Sequence, residues 1–337
     1  MTLLLGATGY IGEAFARALR ERKQDFTALS RKQLDYTKFD LLLTFLRENK
    51  PAFLINAAGY TGKPNVDACE DAKADTLAGN TLFPEMLAHA CLIEKIPWGH
   101  VSSGCIFSGA KVFENADQSS SPSSHLEERA GERRSVTLRI EKDLTKPGLR
   151  DLPETNHDAI RGYTETDHPN FTFRDPPCSF YSGAKGLAEE VISGVGQSYI
   201  WRLRIPFDEY DNPRNYLSKL QRYAKVYDNV NSISHRADFV NACLDLWQQR
   251  APFGTYNITN PGYITSHQVV RMIERILKPA RNFEYWKDDA EFYHLAAKTP
   301  RSNCVLDVSK LMATGVKIRP VEEALEYSLR KWNPEKK

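Results

Sequence analysis

Tyr181 and Lys185 stand four apart in YSGAKGLAEEVISGV, whose apolar spacing predicts a helix, so their side chains share one face a turn apart. A phenol with an ordinary pKa near ~10 is a weak acid at neutrality, and a neighbouring ammonium lowers that value by stabilising the phenolate. Such a pair can hand a proton to a carbonyl oxygen as hydride reaches the carbon. Ser103, in VSSGCIF, supplies a hydroxyl to hold that oxygen, with Ser102 the lesser candidate. Carbonyl reduction leaves Cys105, two residues further on, without a task. The same cysteine reads as a small buried hydrophobe. YxxxK alone is weak, because tyrosine and lysine at helical spacing often decorate a surface.

These residues need a frame. LLLG, GEAFARALRER and FTALSR read strand, helix, strand, and the alternation continues through DLLLTFLRENK, AFLINAAG, TLFPEMLAHACLIEK and WGHVSSGCIF. The predicted fold class is α/β, a doubly wound parallel sheet with a smaller mixed α/β substrate-binding lobe. Residues 1–207 are expected to form the first domain, with a variable insertion at about 110–160, polar and breaker-rich, as a lid or a partly disordered segment. YIWRLRIPF reads as a strand ending at Pro206. Residues 208–337 are expected to make most of the second lobe, with room for the chain to cross back.

Gly6-Ala7-Thr8-Gly9-Tyr10-Ile11-Gly12 lies between the first strand and the first helix. There Gly6 permits a tight turn, Gly9 lets backbone approach a pyrophosphate, and Gly12 lets the helix pack on the sheet, with free N–H groups aimed at the phosphates. Thr8, Tyr10 and Ile11 are expected at the same dinucleotide. After the second strand comes Ser30-Arg31-Lys32, where NAD binders carry an acid; Arg31 can hold a 2′-phosphate bidentately, which favours NADPH over NADH. The other reading of Arg31 is a solvated turn. Asp35 is expected near the adenine, Asn56-Ala57-Ala58-Gly59 under the adenosine, and Pro206 at the cofactor, while Asn80 is either a cofactor-side or a structural residue.

The chain has 337 residues, 41% of them hydrophobic, enough for one large domain or two unequal lobes. Lys+Arg number 45 against Asp+Glu 43, so bulk charge draws neither nucleic acid nor membrane, and an anionic ligand must be caught locally. Six scattered cysteines without metal spacing suit reduced thiols and a cytoplasmic location, and no metal site is expected. No apolar run reaches the ~18 residues of a membrane span, and no signal peptide is read ahead of the first strand.

The GxxGxxG spacing resembles the extended short-chain dehydrogenase/reductase family. NAAGYTGKPNVDACE, SSGCIFSG, FYSGAKGLAEE, NPRNYLSKLQRY, YNITNPG and PRSNCVLDVSKL resemble its dTDP-4-dehydrorhamnose reductase branch, nearest the plant epimerase/reductases. The resemblance implies an NDP-4-keto-6-deoxyhexose substrate reduced at carbon 4 by NADPH. It implies catalytic roles for Ser103, Tyr181 and Lys185, and proton exchange next to the ketone by Cys105 and Lys219. It further implies substrate contacts from Asn65, Val66, Asp67, Arg214, Asn215, Arg222, Arg301 and Asn303, and a homodimer. Gly104 stands where 4,6-dehydratases of the family place an Asp-Glu pair, which disfavours dehydration. His235 and Asp238 are read as holding the second lobe together. A 4-ketoreductase with an inert Cys105, a 4-epimerase and a non-catalytic NADP-binding regulatory subunit are the other readings.

Overall fold

The structure is a computed structural model, and it describes residues 1–63, 65–112, 136–138 and 160–334. Six parallel strands form one sheet. Four are β1 (Thr2–Leu5), β2 (Phe26–Leu29), β3 (Phe53–Asn56) and β4 (Trp98–Ser103), followed by Ser198–Leu203 and Gly254–Asn257. The order is β2-β1-β3-β4, then Ser198–Leu203, then Gly254–Asn257 at the far edge. Strand order therefore reverses between β1 and β3, and crevices at such switch points are where open α/β sheets bind ligands.

Helices cover both faces. On one side α1 (Tyr10–Glu21) packs with α8 (Arg236–Gln248), and their apolar stripes bury Phe15, Leu19, Phe239 and Leu246 against Trp201 and Tyr199 of the sheet. On the other side α2 (Phe39–Asn49) and α5 (Phe83–Ile93) close over Leu3, Leu5, Leu54 and Trp98 with Leu42, Leu46 and Leu87. Strands walled on both faces need near-continuous apolar residues, and LLL and FLI supply them. Between β3 and α5 lie the short α3 (Ala68–Asp71), α4 (Lys73–Leu77) and a π-helical turn, Ala78–Leu82. After the sixth helix, α6 (Phe180–Ile192), comes α7 (Tyr216–Arg222) of a second core. Here Leu217 and Leu220 pack with Ile273, Leu325 and Leu329 from helices Ser266–Leu277 and Val321–Arg330.

The strand expected to run to Pro206 stops at Leu203. Ile205 takes a φ of +36°, Arg204 N donates to Ser234 Oγ at 3.1 Å, and Pro206–Phe207 pairs instead with Ser234–His235. Proline has no N–H for a central ladder, so the chain leaves the sheet here. It returns through α8 and Gly254–Asn257. Arg236 ties the two regions together, with Nε 2.6 Å from Asp208 Oδ2 and Nη1 donating to Tyr10 O at 2.9 Å. His235 caps α8, and Asp238 receives the Arg319 guanidinium at 2.7 Å. Those hydrogen bonds outweigh burial and hold the Asp238 carboxyl at about 2.

Of the insertion, Ala110–Val112, Val136–Leu138 and Ile160–Arg161 pair as a small antiparallel sheet. The lid or disorder expected across 113–159 otherwise lies outside the described residues. Its two stems meet one segment: Gly109 N donates to Asn303 O at 2.6 Å and Tyr163 N to Val305 O at 2.9 Å. Among the described residues no helix is long and apolar enough to cross a membrane, and no cluster of metal-ligating side chains occurs.

Candidate active site

The glycine turn sits at the switch point. Gly6 has a φ of +76°, and a Cβ there would lie 2.5 Å from Ala58 N, so the turn and the loop after β3 touch backbone to backbone. A Cβ on Gly12 would fall 2.0 Å from Gly6 O, which explains the close approach of α1. Gly9 differs: its Cβ position meets nothing nearer than Gly6 O at 3.3 Å, and no side chain caps the helix it begins. The first N–H groups of α1 therefore face an open cradle suited to a pyrophosphate. Ala57 and Gly59 continue the loop beside it; Thr8 is exposed and Ile11 half-buried at the same turn.

Several other expected cofactor residues hydrogen-bond within the protein. Asn56 donates from Nδ2 to His100 Nδ1 at 3.0 Å and accepts from Ala58 N at 3.0 Å. Asn80 spends its amide on Tyr60, accepting from N at 3.0 Å and donating to O at 2.6 Å, so the structural alternative describes its side chain. The Tyr10 hydroxyl donates to Asp208 Oδ1 at 3.1 Å under the Arg236 guanidinium. Ser30 bonds Gln33, and Asp35 accepts from Thr37 Oγ1 at 2.5 Å, which holds its carboxyl below the usual range; Arg31 is exposed past the end of β2. Tyr36, unmarked by any motif, is buried with its hydroxyl against the Gly6 backbone and its ring against Phe83.

At the carboxyl edge of β4 the reactive side chains converge. Ser103 ends the strand, and its Oγ accepts from Cys105 N at 3.2 Å. The same hydroxyl lies close enough to the Tyr181 phenol and the Cys105 thiol to favour the ionised form of each, and Ser182 acts on the thiol in the same way. α6 brings Tyr181 here through a fixed start: Ser179 Oγ accepts from Ser182 N at 3.0 Å, and Glu70 Oε1 accepts from Phe180 N at 2.7 Å. Glu70 also accepts from Thr299 Oγ1 at 2.9 Å, so one carboxylate joins α3, α6 and the second lobe. Nothing local in sequence marks it, because its partners lie more than a hundred residues away.

The electrostatics depart from expectation. Burial is the largest influence on Tyr181 and pushes its phenol above the ordinary range; the Ser103 hydrogen bond and the Arg214 charge oppose it. Lys185 was expected to lower the phenol directly; its ammonium donates to Val101 O at 3.3 Å, and the largest influences on Tyr181 after burial come from Cys105 and Cys69, which raise it, and Ser103 and Arg214, which lower it. Burial brings Lys185 itself down to about 8. Burial likewise raises the Cys105 thiol, against hydrogen bonds from Ser103 and Ser182 and the charges of Arg204 and Lys185.

Lys219 on α7 is lowered by burial and by the charges of Arg214 and Arg301, so three cations gather across from the tyrosine. Arg214 reaches Thr61 Oγ1 at 2.8 Å and Gly62 O at 3.1 Å. Asp67 and Arg301, expected to meet substrate, meet each other at 2.7 Å, each keeping one buried polar atom, Oδ1 and Nη1, without a hydrogen-bond partner among the described residues. Asn65 turns inward to Asp67 N, and Val66 is half-buried. Arg301 and Asn303 line a cavity of about 460 Å³ with Ser108, Asn170, Tyr227 and Thr299. Two expected contacts are engaged within the protein. Asn215 is fully buried, caps α7 and donates to Asp208 and Tyr210 carbonyls, leaving no free amide atom for a ligand. Arg222 points to Asp211 at 2.8 Å. Gly104 is walled by Leu306, whose Cδ1 would be 2.5 Å from an added Cβ, so an aspartate cannot stand there without displacing it.

Residues 1–126 match the family model described as RmlD substrate binding domain. A bifunctional dTDP-4-dehydrorhamnose 3,5-epimerase/dTDP-4-dehydrorhamnose reductase of Arabidopsis thaliana is 26% identical over 324 residues, covering 96% of this chain and 90% of that one. A trifunctional UDP-glucose 4,6-dehydratase/UDP-4-keto-6-deoxy-D-glucose 3,5-epimerase/UDP-4-keto-L-rhamnose-reductase of the same plant is 27% identical over 329 residues; the chain spans 41% of its length. Among solved structures, the L780 UDP-rhamnose synthase of Acanthamoeba polyphaga mimivirus superposes with a TM-score of 0.75 at 22% identity, covering 98% of this chain and 99% of that one. A dTDP-4-dehydrorhamnose reductase of Bacillus anthracis in complex with NADP gives 0.70 at 18% identity, covering 98% and 97%. With a glycine turn at the switch point and a Ser103-Tyr181-Lys185 edge, the chain is similar along nearly its whole length to dTDP-4-dehydrorhamnose reductases and to epimerase/reductases that include this activity, and it shares their fold.

Proposed function

We propose that the protein is an NADPH-dependent oxidoreductase that reduces the 4-keto group of an NDP-4-keto-6-deoxyhexose, after epimerising the carbons on either side of the ketone. The observation that carries this reading is the Ser103 hydroxyl, which accepts from Cys105 N at 3.2 Å and acts on both the Tyr181 phenol and the Cys105 thiol. One group that holds a ketone oxygen thus adjoins both a proton donor for that oxygen and a second acid/base for the neighbouring carbon.

The dinucleotide, when bound, supplies hydride to the ketone carbon; the Gly9 cradle and the N-terminus of α1 would hold its pyrophosphate, and Arg31 its 2′-phosphate. The chain's own residues do the rest. Ser103 fixes the ketone oxygen, and Tyr181 gives it a proton; burial keeps the phenol protonated at neutral pH but makes it a weaker acid, an effect that Ser103 and Arg214 oppose. Lys185 is assigned to the cofactor ribose. Cys105 removes a proton beside the ketone and Lys219 returns one from the opposite face; Arg214 and Arg301 lower Lys219 and so make it a better donor. Arg214, Arg301, Asp67 and Asn303 are assigned to the sugar and its diphosphate. Residues 208–337 mainly form the lobe that carries them, and residues 1–207 the dinucleotide domain. The reading includes a homodimer paired through α6 and the adjoining α5, which exposes Leu92 and Ile93.

A second reading is reduction alone, and the raised Cys105 thiol favours it, because a buried neutral thiol is a poor base. UDP- and dTDP-4-keto-6-deoxyglucose incubated with enzyme in deuterated water separate the two. Solvent deuterium at carbons 3 and 5 before NADPH is added supports epimerisation, and its absence leaves the reductase. NADPH consumption must follow in either case; none with either nucleotide overturns the proposal.

Arg31→Glu is expected to reverse the dinucleotide preference. A carboxylate there repels a 2′-phosphate and accepts ribose hydroxyls, so the NADPH KM should rise by about 100-fold, the worth of roughly two charge-assisted hydrogen bonds, while that for NADH falls. Unchanged KM values for both would return Arg31 to the solvated turn.

A further inference from the structure

We propose that Glu189 is a positioning residue for the proton-donating edge: clamped between Arg202 and Ser102, it locks α6 to β4 and supplies the negative field that faces Lys185. Its kinetic readout rests on the reductase reading above, whereas its spectroscopic readout does not.

The geometry is specific. Glu189 lies one helical turn beyond Lys185 on α6, with its side chain 9% exposed. Arg202, on the next strand of the sheet and 5% exposed, donates to both its oxygens, from Nε at 3.0 Å and Nη2 at 2.7 Å to Oε2, and from Nε at 3.2 Å to Oε1. Ser102 Oγ donates to Oε1 at 2.5 Å. Ser102 immediately precedes Ser103, so the carboxylate that fixes the tyrosine's helix also fixes the backbone that presents the serine. A bidentate buried pair is costly to form and more costly to break singly, which makes it a rigid fastener.

Lys185 is met by Glu189 from its own helix, by Cys105 from the turn after β4 and by His100 from β4 itself. Burial holds His100 well below its ordinary value and raises Cys105, so the imidazole and the thiol are both neutral where Lys185 titrates. The remaining charge of opposite sign is that of Glu189, and it opposes the burial that drags Lys185 to about 8.

The test is the titration of Lys185 Nζ by 15N NMR in the full-length, NADP⁺-saturated protein, beside the pH profile of kcat. Glu189→Gln keeps the shape and removes the charge. Its Lys185 midpoint should fall by about one pH unit, and the alkaline limb of kcat should move with it, leaving about tenfold lower turnover above that midpoint and a change under about threefold at pH 6.5. Should Arg202, left unpaired, prevent folding, Glu189→Gln with Arg202→Gln removes both charges; because the opposing cation leaves with the carboxylate, its midpoint should fall in the same direction by less than the single variant's. Ser102→Ala removes a clamp without a charge, and it should leave the midpoint in place. A midpoint that stays put in the charge variants, or moves equally in Ser102→Ala, overturns the proposal. A wild-type protein that turns over no 4-keto sugar nucleotide would overturn the reductase reading instead, and the NMR midpoint would still decide the role of Glu189.

Discussion

Tyr181→Phe is expected to lower kcat for ketone reduction by about a thousandfold, within the range that a positioned general acid contributes, while dinucleotide affinity changes by less than about threefold. The side chains acting on the phenol are Ser103, Cys105, Cys69 and Arg214, none of them in the glycine turn, so its loss should leave the cradle intact. The fold should survive too. α6 is fixed by Ser179, Glu70 and the Thr81 hydroxyl, which donates to Ala184 O at 2.8 Å, and none of these involves the lost oxygen. Stopped-flow reduction under single turnover, with NADPH binding followed by fluorescence, checks both halves. Turnover that persists undiminished would show that another group protonates the ketone, and the proposed function would lose its acid.

Cys105→Ala should separate the two proposed steps. Deuterium exchange next to the ketone is expected to fall by about 100-fold or more, the usual worth of one acid/base group. Reduction of substrate already in the epimerised configuration should keep most of its rate, because Ser103 and Tyr181 remain in place. Proton NMR of the substrate in deuterated water reads the first effect and NADPH consumption the second. Exchange that continues at the parent rate would make the thiol a small filler between Ser103, Ser182 and the neighbouring core. Its raised pKa sharpens the case: the thiolate must form at the moment of use, helped by Lys185 and Arg204.

The sheet was legible because strands walled on both faces leave unbroken apolar runs, and Gly6, Gly9 and Gly12 gain their meaning from lying between LLLG and an amphipathic helix. Ser103, Tyr181 and Lys185 were legible for a related reason, since strand ends and helical spacing are local properties. Side chains that brace the site were not. Asn215 looked like a ligand contact and is a helix cap, while Asn80 looked like either and is a loop brace; a buried amide satisfied by backbone has the same letter as one awaiting substrate. Glu70, Glu189 and Arg202 escaped notice because their partners come from distant strands and helices. The hydrogen bond of Lys185 was illegible for a geometric reason: sharing a helix face with Tyr181 sets which way the ammonium can start out, and Val101 O decides where it ends.

The paired stems at Gly109 and Tyr163 carry a consequence for how such chains diversify. Both ends of the intervening stretch are stapled side by side to 303–307, so their separation is set by the scaffold and not by what lies between. Closing a longer excursion across a preset gap costs only about 0.6 kcal/mol per doubling of its length. Relatives can therefore lengthen, shorten or exchange this passage almost freely, which makes it a natural docking bay for grafted peptides or reporter modules that leaves the chemistry next door undisturbed.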